Sequence, residues 1–237
     1  MCGIFDIAPQ RGHNRALSRK AGRMQRVYAD IATSNADFLT AHAAPARIGL
    51  AGGSSLIDRG IRKTQRLITE DAAGSAWSHA FLIGEARSDG HWWVLESDLD
   101  LRHKQIRLGG QENRLAKYFD AAYWPNLAVL DFGLDAERAR RVLATALDLL
   151  ASSTRYSLRE IMGTLFALAR PTLRERENLL AREGSLYCSA FVQHCYAAAG
   201  VDFAPGIHTK NTTPHDIARS AVPHSAHYLL RQAGAEK

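Results

Sequence analysis

The sequence predicts an α+β fold, a small antiparallel sheet packed against helices, and two patterns carry that expectation. Apolar and aromatic runs of strand length cluster between Trp77 and Phe132, the first two separated by the turn chemistry of Ser88-Asp89-Gly90. From Asp135 onward, apolar residues recur instead at helical spacing. The bulk numbers agree: 237 residues, 46% hydrophobic and 23% charged, are ordinary for a folded globular chain. A domain of this size buries roughly 70–75% of its unfolded surface and needs no staples. The expectation is one domain over residues 1–237, with an added N-terminal helix and a polar C-terminal tail from about residue 206.

Taken in order, Leu17, Met24, Val27, Ile31 and Leu39 among Arg and Lys suggest an amphipathic helix from about Asn14 to Leu39. Arg47 to Ala51 reads as a short strand, followed by a Gly52-Gly-Ser-Ser55 turn in which Ser55 can cap a helix from Leu56 to Ile68. His79 to Ile83 and Trp92 to Glu96 form a hairpin, Lys104 to Leu108 is a third strand, and Val129 to Phe132 a fourth. Asp135 can cap a helix carrying Val142, Leu143, Ala146, Leu147 and Leu150, and Ser157 can cap another that Pro171 ends. Last comes a helix with Cys188, Phe191, Val192, Cys195, Tyr196 and Ala199 on one stripe, stopped by Gly200.

The formal charge is +6, which favours anionic partners such as cell-wall polymer or acidic lipid. The basic residues are spread along the chain without interleaved aromatics, so no nucleic-acid partner is expected. Three cysteines, Cys2, Cys188 and Cys195, fit reduced thiols better than a disulfide framework. The opening residues lack the pattern of a secretory signal and no segment has the length of a membrane span. The expectation is synthesis in the cytoplasm, with any export by a route that uses no such signal. Nothing in the sequence fixes the oligomeric state.

Cys188 falls in the first turn of its helix, where free N–H groups and the helix dipole favour a thiolate and can also stabilise an oxyanion. The plainer reading is a small hydrophobe at a helix start, as Cys195 is one turn later. His79 opens a strand, where a base is held rigidly. If the hairpin closes through Ser88-Asp89-Gly90, positions near Phe81 face positions near Glu96. His79, Glu96 and Asp98 then share one face, and a carboxylate there can fix the ring tautomer. A one-residue slip in register would undo this.

The stretches Gly53-Ser-Ser-Leu-Ile-Asp-Arg-Gly-Ile-Arg62, Trp77-Ser-His-Ala-Phe-Leu-Ile83, Trp93-Val-Leu-Glu96 and Leu186-Tyr-Cys-Ser-Ala-Phe-Val192 together resemble the permuted papain-like superfamily. That group includes the permuted relatives of NlpC-type peptidases and the lecithin retinol acyltransferase-like enzymes. The likeness spans about Ile48 to Phe203 and rests on chain order, the His strand preceding the Cys helix. It implies a circularly permuted papain-like fold with Cys188 as nucleophile, His79 as base and Glu96 as the residue orienting it, without cofactor or metal. Ala190 departs from the pattern, since many relatives carry an acidic residue there.

The activity this implies is acyl transfer through a thioester, on a cell-wall peptide or other amide, or on a lipid ester. Expected geometry has the Cys188 sulfur within about 4 Å of a His79 ring nitrogen, with Phe81, Ile83, Val94, Phe191, Val192 and Tyr196 buried around the pair. Three other readings stand beside it. Met1-Cys-Gly-Ile-Phe5 resembles amidotransferases with an N-terminal Cys nucleophile, but their downstream Arg-Gly-Pro and Asn-Gly-Glu segments are missing. His208, His215, His224 and His227 crowd the tail without the companions of a metal site and read as solvated. A papain-like scaffold with a dead site would serve only as a binding module.

Overall fold

The computed structural model describes residues 24–66, 75–100, 107–152 and 188–232. Among them, seven strands form one sheet: β1 (Gln25–Tyr28), β2 (Ile48–Gly52), β3 (His79–Ala86), β4 (Trp92–Asp100), β5 (Arg107–Arg114), β6 (Asn126–Asp131) and β7 (Ser225–Leu230). Their spatial order is β1-β7-β6-β2-β3-β4-β5. Neighbours are antiparallel except β1 with β7. The described helices are α1 (Asn35–His42), α2 (Leu56–Arg66), α3 (Ala136–Ala151), α4 (Cys188–Ala197) and α5 (Pro214–Ala218). The fold is α+β as expected, its sheet mostly antiparallel and larger than expected.

Two corrections to the sequence reading explain the larger sheet. Where one helix was expected from 14 to 39, residues 25–28 are strand, and the helix starts only after Ser34, whose hydroxyl accepts from the Asp37 amide at 3.0 Å. That cap breaks the apolar periodicity that joined Met24 to Leu39; the part before residue 24 lies outside the described residues. The segment from about 206, expected as a polar tail, instead contributes α5 and then β7, which is interior to the sheet. Its strand alternates, burying Ala226 and Tyr228 on one face, a pattern that the surrounding histidines obscured.

Other elements sit close to expectation. Ser55 caps α2, accepting from the Asp58 amide at 3.1 Å, and Asp135 caps α3, accepting from the Arg138 amide at 2.8 Å. Gly200 ends the α4 segment with φ 76°, the left-handed conformation glycine adopts without penalty. The third strand starts later than expected, at Arg107. Among the described residues it is the sheet's edge, paired with β4, so Gly109-Gly-Gln-Glu-Asn-Arg114 needs no apolar face of its own. The helix expected after Ser157 lies outside the described residues.

Both faces of the sheet are covered. On one, Ile48, Leu50, Ala80, Leu82, Leu95, Ala128 and Leu130 pack beneath α3 and α4, with Phe191, Val192, Cys195 and Tyr196 of α4 all buried. On the other, Ala51, Phe81, Ile83, Val94, Leu127 and Val129 pack against α1 and the 3-10 turn Leu115–Tyr118. The six residues expected around the site are buried, but they divide between these two layers. Gly49 is part of the second: a Cβ there would come within 2.1 Å of the Phe81 ring.

Candidate active site

His79 is the first residue of β3, so it lies at the end of the sheet while its side chain belongs to the Phe81 face. The body of α4 packs on the opposite face, yet the head of that helix reaches the same end. There Cys188 comes close enough to His79 to act on it electrostatically, being one of the groups that raise the ring. Cys188 is half-buried, and His79, 5% exposed, is walled in. Phe81, Tyr118 and Trp124 surround that ring, with centroids 6.1–6.4 Å away.

The hairpin closes in the register needed to bring the carboxylates alongside. Leu82 pairs with Leu95 and Ile83 with Val94, which sets Phe81 toward Glu96 and His79 toward Asp98. Glu96 Oε2 is 2.7 Å from His79 Nε2, whereas Asp98 Oδ1 is 3.8 Å from Nδ1. Of the two carboxylates left open by the residue reading, Glu96 is therefore the one that binds and orients the ring.

Glu96 is fully buried and both its oxygens are saturated. Besides His79, Oε2 accepts from the Tyr118 hydroxyl; Oε1 accepts from Asn113 Nδ2 at 2.7 Å and Lys117 Nζ at 2.6 Å. Lys117 also donates to Asp98 Oδ2 at 2.5 Å. Burial opposes ionisation of Glu96, but Lys117 and His79 outweigh it and hold the carboxyl well below the usual carboxylate range. Burial likewise pulls His79 down, and Asp98, Cys188 and Glu96 reverse that, raising the ring well above its ordinary value. Lys117 is raised in the same way, its burial overcome by Glu96 and Asp98. Tyr118 is pushed far up by burial and then by the two carboxylates, so it stays a neutral donor.

Asn113, Lys117 and Tyr118 are the residues sequence reasoning missed. They come from the end of β5 and the turn after it, and no motif marks them. Only the β4–β5 register, with Val94 opposite Asn113, brings them under Glu96.

Upstream, Ser78 ties His79 to the loop before α2. Its hydroxyl donates to the buried Asp58 at 2.7 Å and accepts from the Gly53 amide at 2.9 Å. A Cβ on Gly53 would strike the Asp58 carboxylate at 2.3 Å, so glycine is what lets the loop close over it. The resemblance motif around residues 53–62 thus ends at the residue beside the imidazole.

Among the described residues, His79, Glu96 and Asp98 bring one ligand atom each within 4.8 Å of one another, a spacing that suits a metal. The Lys117 ammonium already lies against both carboxylates, so the cation there is the chain's own and the donor set does not fit a metal. Among the described residues the tail histidines form no such group. His224 stacks on Phe132 and His227 on His42, and both His215 and His224 are buried rather than solvated. His227 lies in β7, where a separation of three residues is not the one-face spacing it would be on a helix. Cys195 is buried and pushed up to about 12, an inert thiol. Cys2 lies outside the described residues.

The site gathers a thiol at a helix head, an imidazole, and a buried carboxylate bonded to that imidazole. No family model matches the chain, and no curated protein matches it. Among solved structures it is similar to that of the metalloprotein YiiX (DUF1105) from Escherichia coli O157:H7, with a TM-score of 0.49 and 14% sequence identity, over 81% of this chain and 99% of that one. A likeness at that score and identity bears no weight for the chemistry, which is read from this chain's own side chains.

No described helix is long and apolar enough to cross a membrane.

Proposed function

We propose that this chain is a cysteine hydrolase of the permuted papain-like kind, acting on an amide carbonyl through a thioester. The observation that carries the reading is the buried His79 ring, bound by Glu96 on one nitrogen, with Cys188 at the head of α4 near enough to help raise it. The chain order, His strand before Cys helix, supports the permuted assignment.

The Cys188 sulfur attacks the carbonyl carbon and a C–S bond forms as the carbonyl oxygen becomes an oxyanion. The first turn of α4 has amide N–H groups with no acceptor inside the helix, and these are suited to that charge. Collapse breaks the C–N bond while His79 gives its proton to the departing nitrogen. Water then attacks the thioester, His79 taking its proton, and the acid leaves with Cys188 restored. The raised His79 favours an amide, because an amine leaves only once protonated and a ring charged at neutral pH holds that proton. The net charge of +6 suits an anionic substrate layer.

The test is incubation of the protein with purified cell wall and with phospholipid vesicles in parallel, followed by mass analysis of released products. Release of amide-cleavage products from cell wall by the wild type and not by Cys188→Ala is the expected result. Release of fatty acid from vesicles alone would move the same site to lipid esters. Release from neither, or equal release by Cys188→Ala, overturns the reading.

A further inference from the structure

We propose that Lys117 is a positioning residue for the Cys188–His79 pair: bridging Glu96 and Asp98, its ammonium is a fixed cation that limits the negative charge facing the imidazole. The inference rests on the hydrolase reading and concerns how its base is tuned.

Two carboxylates border His79, Glu96 and Asp98 from β4, with Cys188 from α4 beside them; the facing groups from the turn after β5 are Lys117 and the neutral Tyr118 hydroxyl. An imidazolium against two uncompensated carboxylates would hold its proton too firmly to act as a base when water attacks the thioester, a step at which the acylated Cys188 carries no charge. Lys117 sits 2.6 Å from Glu96 and 2.5 Å from Asp98, and only 12% of its side chain is exposed, so its charge is little screened. It also fixes the carboxylates relative to each other, Asp98 Oδ1 lying 3.8 Å from Nδ1. A strut between β4 and the following turn would need only some hydrogen-bonding side chain there. A charge-balancing role needs the cation.

The experiment follows the His79 ring by NMR across a pH series in full-length protein labelled at histidine, the resonance assigned by its loss in His79→Asn. In Lys117→Met the His79 midpoint should move up by about one pH unit or more. Lys117→Arg, which keeps the charge, should stay near the wild type. Asp98→Asn should lower the midpoint, and adding Lys117→Met to Asp98→Asn should bring it back up. That double variant also keeps the test open should Lys117→Met alone not fold. A midpoint unmoved by loss of Lys117 in both backgrounds, with unchanged circular dichroism, overturns the inference. Iodoacetamide alkylation of Cys188 in the same wild-type sample separates the two claims. An unreactive Cys188 at neutral pH sinks the hydrolase reading; a reactive one with an unmoved midpoint sinks only the role of Lys117.

Discussion

Replacing Glu96 by Gln removes one charge and almost no volume from a position that is 0% exposed. Four donors converge on the native carboxylate, from His79, Tyr118, Asn113 and Lys117. The amide offers one acceptor oxygen and turns an N–H₂ group toward two of those donors. A hydrogen bond to a charged group is worth about 1.5–3 kcal/mol, which is roughly 12- to 150-fold in the population of a thiolate–imidazolium pair. The rate of Cys188 alkylation by iodoacetamide at pH 7 should fall by that factor. Removing one partner of a buried ion pair also destabilises the fold, at the low end of the usual range, about 3 kcal/mol, because Asp98 still binds Lys117. Alkylation rates from mass spectrometry, set beside urea unfolding, measure both effects. A Glu96→Gln protein that alkylates as fast as the wild type would refute the orienting role of Glu96, whatever its stability.

Three further outcomes follow from the same structure. His79 has a folded pKa above its unfolded value, so its contribution to stability is full below about pH 6.5 and is lost as pH rises through the folded value; thermal melts of the wild type should show this decline and those of His79→Gln should not. Gly49→Ala drives a Cβ into the Phe81 ring, which stacks on Tyr118 at 4.1 Å; a loss of about 2 kcal/mol in urea unfolding is expected, together with slower Cys188 alkylation as Tyr118 shifts under Glu96. Peptide mapping after brief native labelling at pH 7 should find the reagent on Cys188 and not on Cys195, whose thiol is buried and pushed up to about 12.

What the sequence made legible was the part of the site written in local pattern. The turn at Ser88-Asp89-Gly90 pins the hairpin, and period-two alternation then puts His79, Glu96 and Asp98 on one face. The apolar stripe of α4 and its glycine stop likewise locate Cys188 at a helix head. What stayed hidden depends on contacts between elements far apart in the chain. Lys117 and Tyr118 reach Glu96 only through the β4–β5 pairing, and β5 is an edge strand whose mixed polar sequence signals nothing. β7 was read as tail because its side chains give a weak apolar alternation, and its place between β1 and β6 is set by backbone pairing rather than by any motif. The two sheet faces were also merged in the sequence reading: α4 packs on the Ala80 face, and its first residue meets His79 only because that histidine ends the strand.

The central claim is that Cys188 carries the acyl group, and the most direct test is to catch it there. Protein mixed with cell-wall substrate and quenched in acid within one turnover should yield, on peptide mass analysis, the Cys188 peptide heavier by the acyl fragment. His79→Gln should show far less of it, and Cys188→Ala none. Product release with no adduct on that peptide at any quench time, or an adduct on another residue, would contradict the account.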